Sequence, residues 1–202
     1  MKLTSIKPAV IVAYYGGADV LEDIASRGYE PVRIQLESHE KTNQFLIQFL
    51  KKTHNYQSDV VIEKKGQSVA ELAAVLKEIG VTHIIPADEA GVKLTDLLSE
   101  ELNLPFNGIR LSKARRDKSL MHAQVASKGI RVPFQTTATC FQEVGLWMKE
   151  TKLEFPIVIK PLDGAGSAGV CKCTDINQVI TAFECIKQLA IQKKTVVSVG
   201  NK

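Results

Sequence analysis

No stretch of this sequence comes near the ~18 consecutive apolar residues of a membrane-spanning helix, so no membrane partner is expected. The N-terminal segment MKLTSIKPAVIVAYYGG holds one short apolar run, which ends at Tyr14-Tyr15-Gly16-Gly17. No longer apolar region follows, and the run reads as a buried strand rather than a signal peptide. Charge of one sign is scarce. The formal net charge is +4 and the basic residues are scattered, with Lys113, Arg115, Arg116 and Lys118 the one dense group. That balance does not point to nucleic acid. Cysteine is sparse too. Four are present, and none has the further Cys or His at the spacing a zinc site needs, so no metal site is assigned. Cys171 and Cys173 fall on one face of a strand, where they serve packing. Free thiols fit a cytoplasmic protein. There is no internal repeat and no low-complexity segment.

Hydrophobic residues make up 45% of the 202, enough for a core in one large domain or two small ones. The most informative stretch is residues 155–173, FPIVIKPLDGAGSAGVCKC. Ile157, Val158 and Ile159 are a β-branched run that favours a strand. Gly164, Gly166 and Gly169 follow, spaced by Ala165, Ser167 and Ala168. A loop with so little side-chain bulk lets backbone N–H groups approach a phosphate, and Lys160 places a cation at its mouth. A Walker A loop would end in Gly-Lys-Ser/Thr, and a Rossmann loop would run straight into a helix. Here Val170 to Cys173 leave room only for a strand. A kinase loop carries its lysine on a later strand, whereas Lys160 precedes the glycines. What remains is a β-hairpin flap over phosphates with its lysine on the incoming strand. The plain alternative is a flexible hairpin with no ligand.

Residues 8–14 (PAVIVAY) form a continuous apolar run, as in a strand buried on both faces. A helix over 18–27 stopped by Gly28, a strand over 31–36, a helix over 40–52 and a strand over 59–62 follow. Ser68 with Glu71 makes a capping box. Its helix has Val69, Leu72, Ala73, Leu76 and Ile79 on one face and ends at Gly80. Residues 83–85 are a fourth strand, leading into Pro86-Ala87-Asp88-Glu89-Ala90-Gly91. This alternation argues for a Rossmann-like parallel sheet with helices on both faces, whose sites lie at the carboxyl ends of the strands. Gly16-Gly17 and Asp88-Glu89 sit at such ends. Glu89 is a candidate to face a substrate amine; equally, Asp88 caps the next helix and Glu89 complements its dipole. After a helix over 91–102, Leu104-Pro105-Phe106-Asn107-Gly108 marks a domain boundary. Beyond it Ser112 opens a helical stretch that Asp117 caps, with Leu120, Met121 and Val125 packing and Gly129 as its end. A strand over 134–138 and a helix with a Thr139/Gln142 capping box precede the flap. A helix over 175–189, with Ile176, Val179, Ile180, Phe183 and Ile186 inward, and a strand over 195–199 come after it.

The ordered set Ala114-Arg115-Arg116-Asp117-Lys118, Gly129-Ile130-Arg131-Val132-Pro133, Phe155-Pro156-Ile157-Val158-Ile159-Lys160-Pro161 and the glycine flap resembles the ATP-grasp superfamily of carboxylate–amine ligases. The likeness is nearest to the L-amino-acid ligase branch and its biotin-carboxylase-like relatives. The resemblance implies an α/β fold. A Rossmann-like pre-ATP-grasp domain (1–108) and a connecting helical segment (109–130) would precede a partial ATP-grasp N-lobe with an antiparallel sheet and the flap (131–202). It implies that ATP turns a substrate carboxylate into an acyl phosphate, which an amine attacks to give an amide. Lys118 and Lys160 match the family's two nucleotide lysines, and Gly164, Ala165, Gly166 and Ser167 match its flap. The two lysines are therefore expected to face one cleft. Nucleotide and a small carboxylate and amine would be the partners.

The family's second lobe, which holds magnesium, has no counterpart in these residues. The resemblance thus implies a truncated enzyme, with magnesium expected only in a full-length relative. The chain alone is expected to be inactive, and it would self-associate as a homodimer through an uncovered sheet face. The other reading is a non-catalytic nucleotide- or partner-binding module derived from such a ligase.

Overall fold

A computed structural model describes residues 6–12, 17–36, 59–163, 166–188 and 195–199. The helix expected over 40–52, and Gly16, lie outside the described residues. The chain divides into two compact units, Met1–Ser112 and Lys113–Lys202.

The first unit runs β1 (Pro8–Val12), α1 (Gly17–Ser26), β2 (Val32–Leu36), β3 (Asp59–Glu63), α2 (Val69–Ile79) and β4 (His83–Pro86). A 3-10 turn, Glu89–Gly91, then leads into α3 (Val92–Glu101). The strands pair in the order β3-β2-β1-β4, all parallel. β1 is an inner strand, and Ala9, Val10 and Ile11 are fully buried. Side chains alternate along it. Ala9 and Ile11 join Val32, Ile34, Leu72, Leu76 and Leu98 on one side, and Val10 meets Leu21 and Ile24 of α1 on the other. Burial on both faces is why the run is continuously apolar rather than alternating. The Ser68/Glu71 capping box forms: Ser68 Oγ accepts from the Glu71 N–H at 3.2 Å, and Glu71 Oε2 accepts from the Ser68 N–H at 2.8 Å. Gly80 closes α2 at φ 81°, a backbone state that costs glycine little. Leu94 and Leu102 flank the inward face of α3 and pack against the same core as Leu98. Leu98 is buried, and Thr95, Asp96 and Ser99 are buried beside it.

The second unit carries most of α4 (Ser112–Arg116), then α5 (Lys118–Ala126), β5 (Phe134–Ala138), α6 (Phe141–Thr151), β6 (Ile157–Pro161), β7 (Cys171–Cys173), α7 (Ile176–Gln188) and β8 (Thr195–Val199). The sheet order is β5-β8-β6-β7, antiparallel throughout. Ile157, Ile159 and Cys173 point to one face, where Val144 of α6 and Val179, Phe183 and Ile186 of α7 complete a core. Leu120 and Met121 of α5, expected to pack, are each 38% exposed. α5 is held to the sheet instead by polar contacts at Ser119 and His122. Ile176 is also exposed and Ile180 only partly covered, leaving Val179, Ala182, Phe183 and Ile186 as the buried positions of α7. The capping box predicted at Thr139/Gln142 does not form, because Cys140, whose side chain makes no capping hydrogen bond, stands at the N-cap. Glu143 is the residue three on, and it accepts from the Thr139 N–H at 2.7 Å. No helix among the described residues is long and apolar enough to cross a membrane.

Candidate functional site

The alternation of β6 sets the geometry of the second unit's site. Ile157 and Ile159 are buried in the core, so Val158 and Lys160 project from the opposite face. Register places α5 on that same face. Gln135 and Val158 are both opposite Ser198 of β8, and Thr137 and Lys160 are both opposite Val196. Gln135 therefore shares the face of Lys160, and α5 is fastened to it. Gln135 Nε2 donates to the Ser119 carbonyl at 3.4 Å, which leaves its Oε1 to accept from His122 Nδ1 at 2.6 Å.

The N-terminus of α5 is joined to the start of the glycine loop. Asp117 is its cap, with Oδ1 accepting from the N–H groups of Ser119 at 2.9 Å and Leu120 at 3.0 Å. The Lys118 N–H, which has no partner within its own helix, donates to the Leu162 carbonyl at 3.0 Å. Lys118 Nζ lies 3.5 Å from the same oxygen. One residue further along, the Asp163 carboxylate is ion-paired with the Arg116 guanidinium.

Lys160 stands two positions before Leu162, the residue that Lys118 contacts, so Lys118 is held beside the segment that carries Lys160 although the two stand on different elements. Both ammonium groups are held below the ordinary lysine range, chiefly by burial. For Lys160 the charge of Lys118 lowers it further. For Lys118 the Asp163 carboxylate partly offsets the burial, while Arg116 acts against it. Two partly desolvated cations that repel each other are relieved by an anion.

The loop itself has the backbone the sequence suggests. Gly164 and Ala165 lie outside the described residues. Gly166 (φ 62°), Ser167 (φ 60°) and Gly169 (φ 70°) are left-handed. The Val170 N–H donates to the Ser167 carbonyl at 3.1 Å, closing a turn whose third residue, Gly169, has the positive φ that glycine supplies. Ser167 reaches that region without being glycine, a local strain of the sort that concentrates in ligand-binding loops.

Glu89, in the first unit, follows β4 at the carboxyl end of the sheet. The strand order reverses between β1 and β4, and this is the crevice where open α/β sheets bind ligands. Asp88 caps the turn there, with Oδ1 accepting from Ala90 N–H at 3.0 Å and Gly91 N–H at 3.4 Å. The capping reading of Asp88 thus holds. Glu89 is half-buried on the same turn. Among the described residues no group of three or more His, Cys, Asp or Glu stands together as a metal site. Cys173 packs in the core, and burial, followed by its neighbours Cys171 and Asp175, pushes its thiol up. Arg116 and Asp163 are the pair that sequence reasoning did not join. Both lie in segments it singled out, the dense basic group and the flap, but 47 positions apart.

No known protein-family model matches the chain. Dapdiamide A synthase of Enterobacter agglomerans is 31% identical over 193 residues, 92% of this chain and 43% of that protein. The chain thus spans less than half the length of that curated relative. Among solved structures, L-amino acid ligase from Bacillus licheniformis superposes with a TM-score of 0.67 at 14% identity, over 96% of this chain and 43% of that one. N5-carboxyaminoimidazole synthetase from Staphylococcus aureus, complexed with ADP, gives a TM-score of 0.70 at 14% identity over 96% and 47%. At such identity these two likenesses bear on the fold.

Proposed function

The chain belongs to the ATP-grasp superfamily of carboxylate–amine ligases and matches less than half the length of the members compared above, and on that premise we propose that it binds the phosphates of ATP. The observation that carries this reading is the contact of Lys118 with Leu162, two positions beyond Lys160, at the base of the glycine loop, with both lysines partly desolvated. Lys160 and Lys118 neutralise phosphate charge, and backbone N–H groups of Gly164, Ala165, Gly166 and Ser167 approach the phosphate oxygens. Bound ATP supplies the phosphoryl group that activates a substrate carboxylate for attack by an amine. The residues named here hold and screen the nucleotide during that transfer, and preorganised positive charge is the main protein contribution to such a reaction. Glu89, at the crevice of the parallel sheet, is proposed to face a substrate amine. Magnesium is proposed only for a full-length relative. By itself the 202-residue chain is proposed to bind nucleotide without making an amide, in the cytoplasm.

The test is to supply the purified chain with ATP, magnesium and a panel of amino acids, and to measure ATP binding by calorimetry alongside ADP release. ATP binding that Lys160→Ala weakens about tenfold or more is expected, since a charge-assisted hydrogen bond contributes about 1.5–3 kcal/mol. ADP release that depends on an amino acid, and is lost in Lys160→Ala, would identify a working ligase and overturn the inactive reading. No ATP binding at millimolar concentration would overturn the nucleotide reading itself.

A further inference from the structure

We propose that the Arg116–Asp163 ion pair is a positioning clamp, which holds the first residues of the glycine loop against the N-terminus of α5 so that the loop and Lys118 meet the same phosphate. Three contacts converge on two consecutive loop residues. The Leu162 carbonyl takes the Lys118 N–H at 3.0 Å and has Lys118 Nζ at 3.5 Å. The Asp163 carboxylate takes the Arg116 guanidinium. Arg116 is the more buried partner, with its side chain 21% exposed against 41% for Asp163, so the guanidinium is the fixed post and the loop residue is what it holds. A guanidinium suits that role, because its planar fork constrains the direction as well as the distance of a carboxylate.

The clamp makes a prediction whose sign is opposite to that of simple electrostatics. Asp163 carries a carboxylate whose charge is felt at Lys118, one of the two lysines proposed to receive phosphate. If its charge acted only through space, Asp163→Asn would tighten ATP binding by removing a repulsion. If Asp163 positions the loop, the same change weakens binding. This inference rests on the nucleotide reading above only for its binding arm. The other arm is amide hydrogen exchange at Lys118 in the ligand-free chain, which reports the local opening of the Lys118–Leu162 contact.

The experiment uses the full 202-residue chain with Asp163→Asn, Arg116→Gln, both together, and the charge reversal Arg116→Asp with Asp163→Arg. Each single change is expected to speed Lys118 exchange about threefold to fivefold, the scale of a half-exposed ion pair, with exchange at Ile157 and Ile159 unchanged. The combined neutral variant should exchange no faster than either single one. The charge reversal should restore protection, which a merely space-filling role would not. ATP affinity should fall in Asp163→Asn by a similar factor. Unchanged Lys118 exchange in both single variants, or tighter ATP binding in Asp163→Asn, would overturn the clamp. Should the unmodified chain bind no ATP, the nucleotide reading fails, while the exchange arm still decides the clamp alone.

Discussion

Lys118 and Lys160 are the residues on which the proposed nucleotide binding turns, and their titration gives a test with a definite sign. Burial, with Lys118 adding to it at Lys160, sets both below the ordinary lysine value of about 10.4. In the free chain the charged forms are therefore disfavoured relative to the unfolded state. Their penalty on stability applies at low and neutral pH and is lifted as pH rises from the depressed values toward the ordinary one. A bound phosphate reverses the preference by favouring the charged forms. ATP binding should thus take up protons at alkaline pH, and affinity should be greatest below the depressed values and fall as pH rises through them. Measured by calorimetry from about pH 8, where phosphate is fully ionised, the dissociation constant is expected to rise about tenfold by the point where one charge-assisted bond is lost. A flat profile over that range would show that neither lysine touches the phosphates. Gly91 is a residue of the other kind, kept for space. A Cβ added there would lie 3.0 Å from Ile11 Cγ2 and 3.2 Å from Ile11 Cβ. Ile11 is buried on an inner strand and stiff at χ1, so it has nowhere to move. Gly91→Ala should cost about 1–3 kcal/mol in urea unfolding, and less than that when combined with Ile11→Ala, because the two changes share one space. An unaltered midpoint in Gly91→Ala would refute the contact.

Elements of this chain were legible where their signals are local. The capping box at Ser68 and Glu71, the caps at Asp88 and Asp117, and the stops at Gly28, Gly80 and Gly129 all act within one turn of the residue that carries them. The strand–loop–strand reading of residues 155–173 survives for the same reason. β6 and β7 pair antiparallel, Ile157 opposite Cys173 and Ile159 opposite Cys171. The misses share a different cause. Leu120 and Met121 are apolar, but apolarity does not say which side of a helix is covered. Here Gln135 holds α5 through Ser119 and His122 and leaves the leucine and methionine outward. The Thr139/Gln142 box failed, since nothing in the sequence says that Cys140 rather than Thr139 begins the helix geometry. β8 was read as a strand, but its place between β5 and β6 is a long-range pairing with no local sign. The Arg116–Asp163 pair is of that kind as well.

At the scale of the molecule, each unit presents a candidate site whose position its own topology explains. In the first, reversal of strand order beside β1 creates the crevice at which Glu89 stands. In the second, alternation along β6 sends Lys160 to the face where α5 brings Lys118. The claim that unites the sequence, the fold and the family is that the phosphates of ATP bind at this second place. An amide chemical-shift titration of the full chain with ATP tests it most directly. The expected result is a saturable set of perturbations centred on Lys118, Lys160, Leu162, Gly166 and Ser167, which needs about tenfold more ATP or greater in Lys160→Ala, while the amides of α2 and β2 keep their positions. Perturbations centred elsewhere, or a response at these amides that survives Lys160→Ala unchanged, would contradict it.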